Sequence, residues 1–308
     1  MIESLILVRD KTRLEQLIER FNSIAQAKFY IEKSGGNFKS FEREHNSFYS
    51  VFEKLTSSFK DLVKTKIVFR EFLPTYIFSE KEVVVAIGQD GLVANTAKYL
   101  SGQVLVGVNP DPQNYDGVLL PFDQHSVVGS IKHLLQGRMK LKEVYLAVAE
   151  LNDGQKLMAF NDFYIGARSH VSSRYTIEFQ GEKENQSSSG IIVSTKAGAT
   201  GWLSSVLNMA SNIFKQCSSR NSQPDFSIDQ NESQLVFAIR EPFKSISTQT
   251  TIGFGIIQDG DTLKIESKMV DNGVIFSDGI EADFLQFNAG SIVEIKKAAI
   301  TVKLLQDS

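Results

Sequence analysis

The apolar positions of this chain change period along its length. Residues 5–8 (LILV) form a short apolar run closed at once by Asp10, which reads as a first buried strand. From residue 12 to about residue 28, Leu14, Leu17, Ile18, Phe21 and Ile24 recur at spacings of three and four, predicting one amphipathic helix. A second helix carries Phe48, Phe52, Leu55 and Phe59 on one face, as a helix packed on a sheet does. Residues 67–69 suggest another strand. Residues 82–87 (EVVVAI) are an uninterrupted β-branched run, the pattern of a parallel strand buried on both faces. Gly88 to Gly91 interrupts it, a helix is predicted over 92–100, and 103–108 (QVLVGV) is the next strand. That is a βαβ unit with a tight glycine loop between strand and helix. A helix near 126–135 closes this half.

After Lys140 strand-like segments alternate with hairpin signals: Asn152-Asp153-Gly154, the run 258–261 (QDGD), Asp271-Asn272-Gly273, Ser277-Asp278-Gly279 and Asn288-Ala289-Gly290. One helical stretch, 201–215, interrupts them, and the polar residues 218–225 read as an exposed loop. The pattern therefore predicts an α/β half followed by a mainly antiparallel β half, with a seam near 136–141.

Composition narrows the class without naming a function. A length of 308 residues suits two domains, and 42% hydrophobic with 22% charged residues is ordinary for a globular chain. A net charge of −3 provides no basic footprint, which argues against nucleic acid or an acidic membrane as partner. No apolar run approaches the roughly 20 residues of a membrane span, and a cytoplasmic protein is expected. The single cysteine, Cys217, removes a disulfide framework or a cysteine zinc site. The four histidines, His45, His125, His133 and His170, fall at no metal-ligand spacing, and neither GxxxxGK[ST] nor GxGxxG occurs. The 22 Phe are assigned mostly to packing.

Three segments carry candidate chemistry. Gly88-Gln89-Asp90-Gly91 sits at the carboxyl end of a parallel strand and opens a helix, where α/β sheets bind ligands and loop amides reach phosphates. Asp90 either caps that helix or accepts a proton or holds magnesium. Residues 159–165 (AFNDFYI) place Asn161 and Asp162 in an otherwise apolar run, where a buried member needs a ligand or a turn as partner. Residues 187–202 (SSSGIIVSTKAGATGW) run from a strand through small residues into a helix. There Thr200 either caps the helix or meets a ligand, and Trp202 either fills core or stacks on something flat. Lys196 either supplies charge to a pyrophosphate or points to solvent.

In this order, GQDG, AFND and GIIVSTKAGATGW resemble the three signatures of the NAD kinase family. The intervening VLVGVNPDPQNYDGVLLP (104–121) and NDFYIGARSHVSSRYTIEF (161–179), together with FAIREP (237–242), resemble its mitochondrial-type branch, and the similarity runs over about residues 83–298. The resemblance implies a Rossmann-like N-terminal domain over 1–138 that binds ATP. It implies a mainly antiparallel β-sandwich-like domain over 139–308 for NAD binding and oligomerisation. It also implies transfer of the ATP γ-phosphate to the 2′-hydroxyl of the adenosine ribose of NAD(H), in a homodimer or tetramer using Mg²⁺ or another divalent cation. On matching positions Asp90 is the base and the metal-linked carboxylate, and Gly88, Gln89 and Gly91 hold phosphates. Asn161 and Asp162 hold the adenosine moiety, while Thr200, Gly201 and Trp202 line the NAD pocket with Ser205 nearby. The chain departs from the family pattern at Gln89, Asp162, Ala197, Ala199 and Gly201. Those departures define an alternative, a catalytically impaired NAD(H)-binding sensor of the same fold.

Overall fold

A computed structural model describes residues 2–114, 117–217 and 230–307. The loop expected over 218–225 lies outside the described residues. The chain divides into two compact units, residues 1–143 with 302–308, and residues 144–301.

In the first unit four strands, β1 (Ser4–Arg9), β2 (Lys64–Phe69), β3 (Glu82–Ile87) and β4 (Val104–Val108), lie parallel in the order β2-β1-β3-β4. Residues 303–304 continue the sheet in parallel beyond β4. All six residues of β1 and of β3 are buried, which is why both run apolar without alternation between their polar ends, Ser4 and Arg9 of β1 and Glu82 of β3.

The helix expected over 12–28 is two helices, α1 (Arg13–Phe21) and α2 (Ile24–Lys33). Thr12 and Glu15 form a capping box at the start of α1. Asn22 ends it in the left-handed conformation (φ 60°), and Ser23 caps α2 through the Gln26 amide. The apolar period runs across the break because both helices pack into one small cluster around Leu14, Ala27 and Phe38. Helix α3 (Phe38–Lys60) presents Val51, Phe52, Leu55 and Phe59 to one face of the sheet, joined there by Val127, Ile131 and Leu134 of α5 (Val127–Leu135). Between them in sequence, α4 (Asp90–Ala97) packs against β3 and β4.

The second unit is a β-sandwich. One sheet has the order β12-β11-β10-β7-β14-β15, all antiparallel. Its strands are β7 (Asp162–Ala167), β10 (Ile191–Ser194), β11 (Leu235–Ile239), β12 (Phe254–Ile257), β14 (Gly273–Ser277) and β15 (Ile280–Gln286). The other is built from β5 (Leu141–Leu151), β6 (Lys156–Ala159), β8 (Ser173–Phe179), β9 (Glu182–Ser188), β13 (Leu263–Ser267) and β16 (Ile292–Leu305). Phe163, Ile165, Ile191, Val193 and Phe237 of the first sheet meet Tyr175, Ile177, Ile265, Val293 and Ile295 of the second in one core. On the opposite face, α6 (Trp202–Cys217) packs Leu203 against Val236 and Ala238. No helix among the described residues is long and apolar enough to cross a membrane.

Because Phe59 is fully buried beneath the parallel sheet, Phe59→Ala should cost about 3–5 kcal/mol. Urea unfolding should show this as a lower midpoint with an unchanged slope, whereas Phe48→Ala, at a half-buried position, should cost distinctly less.

Candidate functional site

Where β3 ends, the backbone turns through Gly88 and Gln89 into α4, held in place by the Gly88 amide donating to the Val108 carbonyl at 3.2 Å. Gln89 is the N-cap residue and makes no side-chain cap bond; its side chain is exposed. Asp90 does not cap the helix either. Its Oδ1 accepts the Leu119 amide at 2.7 Å and its Oδ2 the Val118 amide at 3.1 Å, so the carboxylate pins the loop that follows β4. That loop reaches Asp90 only because residue 107 is glycine. A Cβ there would sit 2.0 Å from the Leu119 carbonyl oxygen.

Beside this turn lies a cavity of ≈ 280 Å³, lined by Gly88, Gln89 and Gly91 and by Asp10 to Arg13 of the loop after β1. A side chain at Gly91 would meet nothing within 4 Å, so glycine leaves bare backbone facing the space. The β1 loop is anchored from below by Arg9, which is 2% exposed. Arg9 pairs with Glu15, donates to the Tyr49 hydroxyl at 2.7 Å, and lies against the rings of Phe48, Phe52 and Phe69. Part of the phenylalanine surplus therefore serves a buried guanidinium.

In the second unit Asn161 precedes β7 and Asp162 opens it. The organising group here is Asp278, a residue that sequence reasoning read only as part of a turn. With Gly279 it forms the two-residue connection of β14 and β15, both at positive φ (54° and 71°), as a type I′ hairpin requires. The turn aims the Asp278 carboxylate at three successive amides, those of Phe160 (3.1 Å), Asn161 (2.6 Å) and Asp162 (3.3 Å).

The third segment is locked onto the second. The Thr195 amide donates to the Asn161 carbonyl at 2.9 Å, and the Thr195 hydroxyl to the Phe160 carbonyl at 2.5 Å. A Cβ on Gly198 would lie 2.2 Å from the Asn161 carbonyl oxygen, so only glycine lets the short 3₁₀ turn 197–200 press against it. Thr195 and Gly198 lie within the third segment, and their packing role depends on the second segment, more than 30 residues earlier in the chain. Thr200, Gly201 and Ser205 are exposed near the start of α6, the Ser205 hydroxyl lying 3.5 Å from the Gly201 carbonyl. Lys196 points to solvent.

Trp202 is not core filler. It stacks on Tyr164 with ring centroids 5.8 Å apart and 9° between planes, and the Arg240 guanidinium lies 5.2 Å over it. These groups, with Arg168 and His170, line a cavity of ≈ 510 Å³. The structure thus brings Asn161 and Asp162 together with the 194–198 turn, and gives Trp202 a cavity of its own.

Asp162 is buried, and among the described residues nothing donates a hydrogen bond to its carboxyl. Burial, with the Asp278 charge nearby as the second cause, pushes its pKa up to about 7. Because the folded pKa lies above the unfolded value, the native state holds a proton between about pH 4 and pH 7 that the unfolded chain has released. Stability from this group is therefore lost as pH rises through that window.

Two outcomes follow. The melting temperature of Asp162→Asn relative to wild type should rise between pH 4 and pH 8 and level off above it; a pH-independent difference would contradict the burial argument. Gly198→Ala should lower stability by about 1–3 kcal/mol through overpacking against Asn161, read by thermal unfolding.

No family model matches the sequence, and no curated protein matches it. Solved structures do. The yeast NADH kinase complexed with NADH is similar over 100% of this chain and 84% of its own, at 11% identity and a TM-score of 0.58. An NAD kinase from Archaeoglobus fulgidus in complex with ATP is similar over 99% of this chain and 94% of its own, at 12% identity and a TM-score of 0.56. What the chain shares with both is the fold, a Rossmann-like parallel sheet followed by a β-sandwich.

Proposed function

We propose that this protein transfers the γ-phosphoryl group of ATP to the 2′-hydroxyl of the adenosine ribose of NAD(H), giving NADP(H). The observation that carries the reading is the turn at the end of β3. It sets bare glycine backbone beside a cavity and Asp90 at the head of a helix, in a chain with the fold of an NADH kinase and an NAD kinase.

Phosphoryl transfer asks a protein for alignment and charge neutralisation rather than for a covalent intermediate. Asp90 takes the 2′-hydroxyl proton as that oxygen bonds to the γ-phosphorus and the bond to the β–γ bridging oxygen breaks, releasing ADP. Its two amide contacts fix the carboxylate while each oxygen keeps further acceptor capacity. The amides of Gln89 and Gly91 hold phosphate oxygens, and Gly88, whose own amide is given to Val108, shapes the turn that presents them. Asn161 and Asp162 hold the adenosine moiety, with Asp162 a hydrogen-bond donor while it keeps its proton. Thr200, Gly201, Trp202 and Ser205 line the remainder of the dinucleotide pocket, Trp202 by its flat face.

Among the described residues no group of three or more His, Cys, Asp or Glu side chains is placed to hold a metal ion. A single carboxylate completed by nucleotide phosphates and water is an ordinary Mg²⁺ environment, and Asp90 fits that role. The ion would offset the phosphate charge.

A second reading, an NAD(H)-binding relative without turnover, draws on the engagement of both Asp90 oxygens by amides and on the side chain at Gln89. Incubation with NAD, ATP and Mg²⁺ separates the two. The kinase reading expects NADP, and it expects Asp90→Asn to lower kcat about 10²–10⁴-fold. Tight NAD binding with no NADP from wild type would instead support the second reading.

A further inference from the structure

The cavity beside the Gly88–Gly91 turn has three cationic side chains in its wall, Lys11, Arg13 and Arg70. Lys11 is committed to Glu19 and Glu71, and Arg13 to Glu44. Arg70 is held differently. It opens the 3₁₀ turn Arg70–Thr75 after β2, and its Nη1 donates to Asp10 Oδ2 at 2.7 Å while its Nε donates to Asn95 Oδ1 at 3.3 Å. Among the described residues its Nη2 has no partner.

Asn95 belongs to α4, the helix that starts at Asp90, and is 2% exposed. Among the described residues its Nδ2 has no hydrogen-bond partner, an unfavourable state for a buried amide. Within its side chain, the bond formed is the one that steadies Arg70. The guanidinium is therefore fixed by a buried group on one side and a carboxylate on the other, with donors left over at a cavity wall that also carries loop glycines. A planar cation preset in this way suits a phosphate oxygen pair.

Asp10 is the counterweight. Its Oδ1 accepts the Lys11 amide at 2.7 Å, which an asparagine carbonyl would retain, and its Oδ2 neutralises Arg70. A polyphosphate entering this cavity shares Arg70 with Asp10 and is repelled by it. At ≈ 280 Å³ the cavity falls just below the range of roughly 300–1,000 Å³ for ligand pockets. It suits the phosphate tail rather than a whole nucleotide.

We propose that Arg70 is the contact of this protein for the donor's phosphate tail, and that Asp10 is its resident counter-ion and sets donor affinity. This rests on the kinase reading above. The Asp10–Arg70 ion pair joins the loop after β1 to the turn after β2, outside all three motifs that the sequence singled out.

Titration calorimetry with ATP, with inorganic tripolyphosphate and with NAD tests the assignment on the full chain. Arg70→Met should weaken ATP and tripolyphosphate binding about 10–100-fold and leave NAD binding within twofold. Arg70→Lys should fall between, since an ammonium keeps the charge without the planar fork. Asp10→Asn should tighten ATP about 3–10-fold. A purely structural role for the pair predicts the opposite, because Asp10→Asn would then weaken ATP or leave it unchanged; either result overturns the proposal. Equal loss of ATP and NAD in Arg70→Met would also overturn it. If wild type binds ATP and forms NADP while Arg70→Met binds ATP as well as wild type, this proposal falls and the kinase reading stands. If wild type binds neither ATP nor tripolyphosphate and forms no NADP, both fall.

Discussion

In both units the loop at the candidate site is held by a carboxylate from elsewhere in the chain that accepts its backbone amides. Asp278 takes the amides of residues 160–162, and Asp90 takes those of residues 118 and 119. Each is a charge-assisted contact, stronger than a neutral one, and each joins segments more than 25 residues apart in the chain. The rest of the local geometry follows from these two clamps. With the backbone at 160–162 fixed, Thr195 and Gly198 can close on its carbonyls; with the 117–120 loop fixed, the mouth of the turn after β3 has a defined edge.

The clamps also distribute charge unevenly. Asp278 accepts three amides and lies beside Asp162, whose carboxyl has no hydrogen-bond donor among the described residues. Two carboxylates so placed cannot both ionise cheaply, and the less solvated one keeps its proton. Side-chain chemistry at Asp162 is thus set first by its burial and then by a residue 116 positions away, through an arrangement whose first task is structural.

Segments whose pattern reports burial were legible in the sequence. Residues 82–87 and 191–194 carry a polar residue only at one end because the strands there are buried throughout, and 82–87 appears with the expected limits. The expected single helix over 12–28 was misread for the converse reason: α1 and α2 bury one continuous cluster, so the apolar period hides a break that only Asn22 and Ser23 announce. At the site, the glycine turn and the Asn161-Asp162 pair stood out because polar or flexible residues interrupt apolar runs. Asp278 was hidden in an ordinary Asp-Gly turn signal, since nothing local distinguishes a turn that ends in solvent from one that aims its carboxylate at three amides. Arg70 was hidden because its partners, Asp10 and Asn95, are 60 positions before it and 25 after it.

Net charge alone misjudges such a site. A total of −3 argues against a broad polyanion surface, yet a phosphate group responds to the few donors within hydrogen-bond reach rather than to the sum over the chain. At the end of β3 those donors are loop amides, the amino end of α4 and one preset guanidinium. The carboxylates in the same wall keep the cavity close to neutral, which spares the fold the cost of three adjacent unpaired cations. Neutrality has a consequence for recognition: repulsion by the carboxylates grows with the charge of the incoming anion, so net potential contributes little to holding a polyphosphate at this wall. What remains is direction, since amides and a planar guanidinium fixed in place reward an anion whose oxygens match their geometry, and a wall of paired charges therefore recognises a phosphate by its shape more than by its charge.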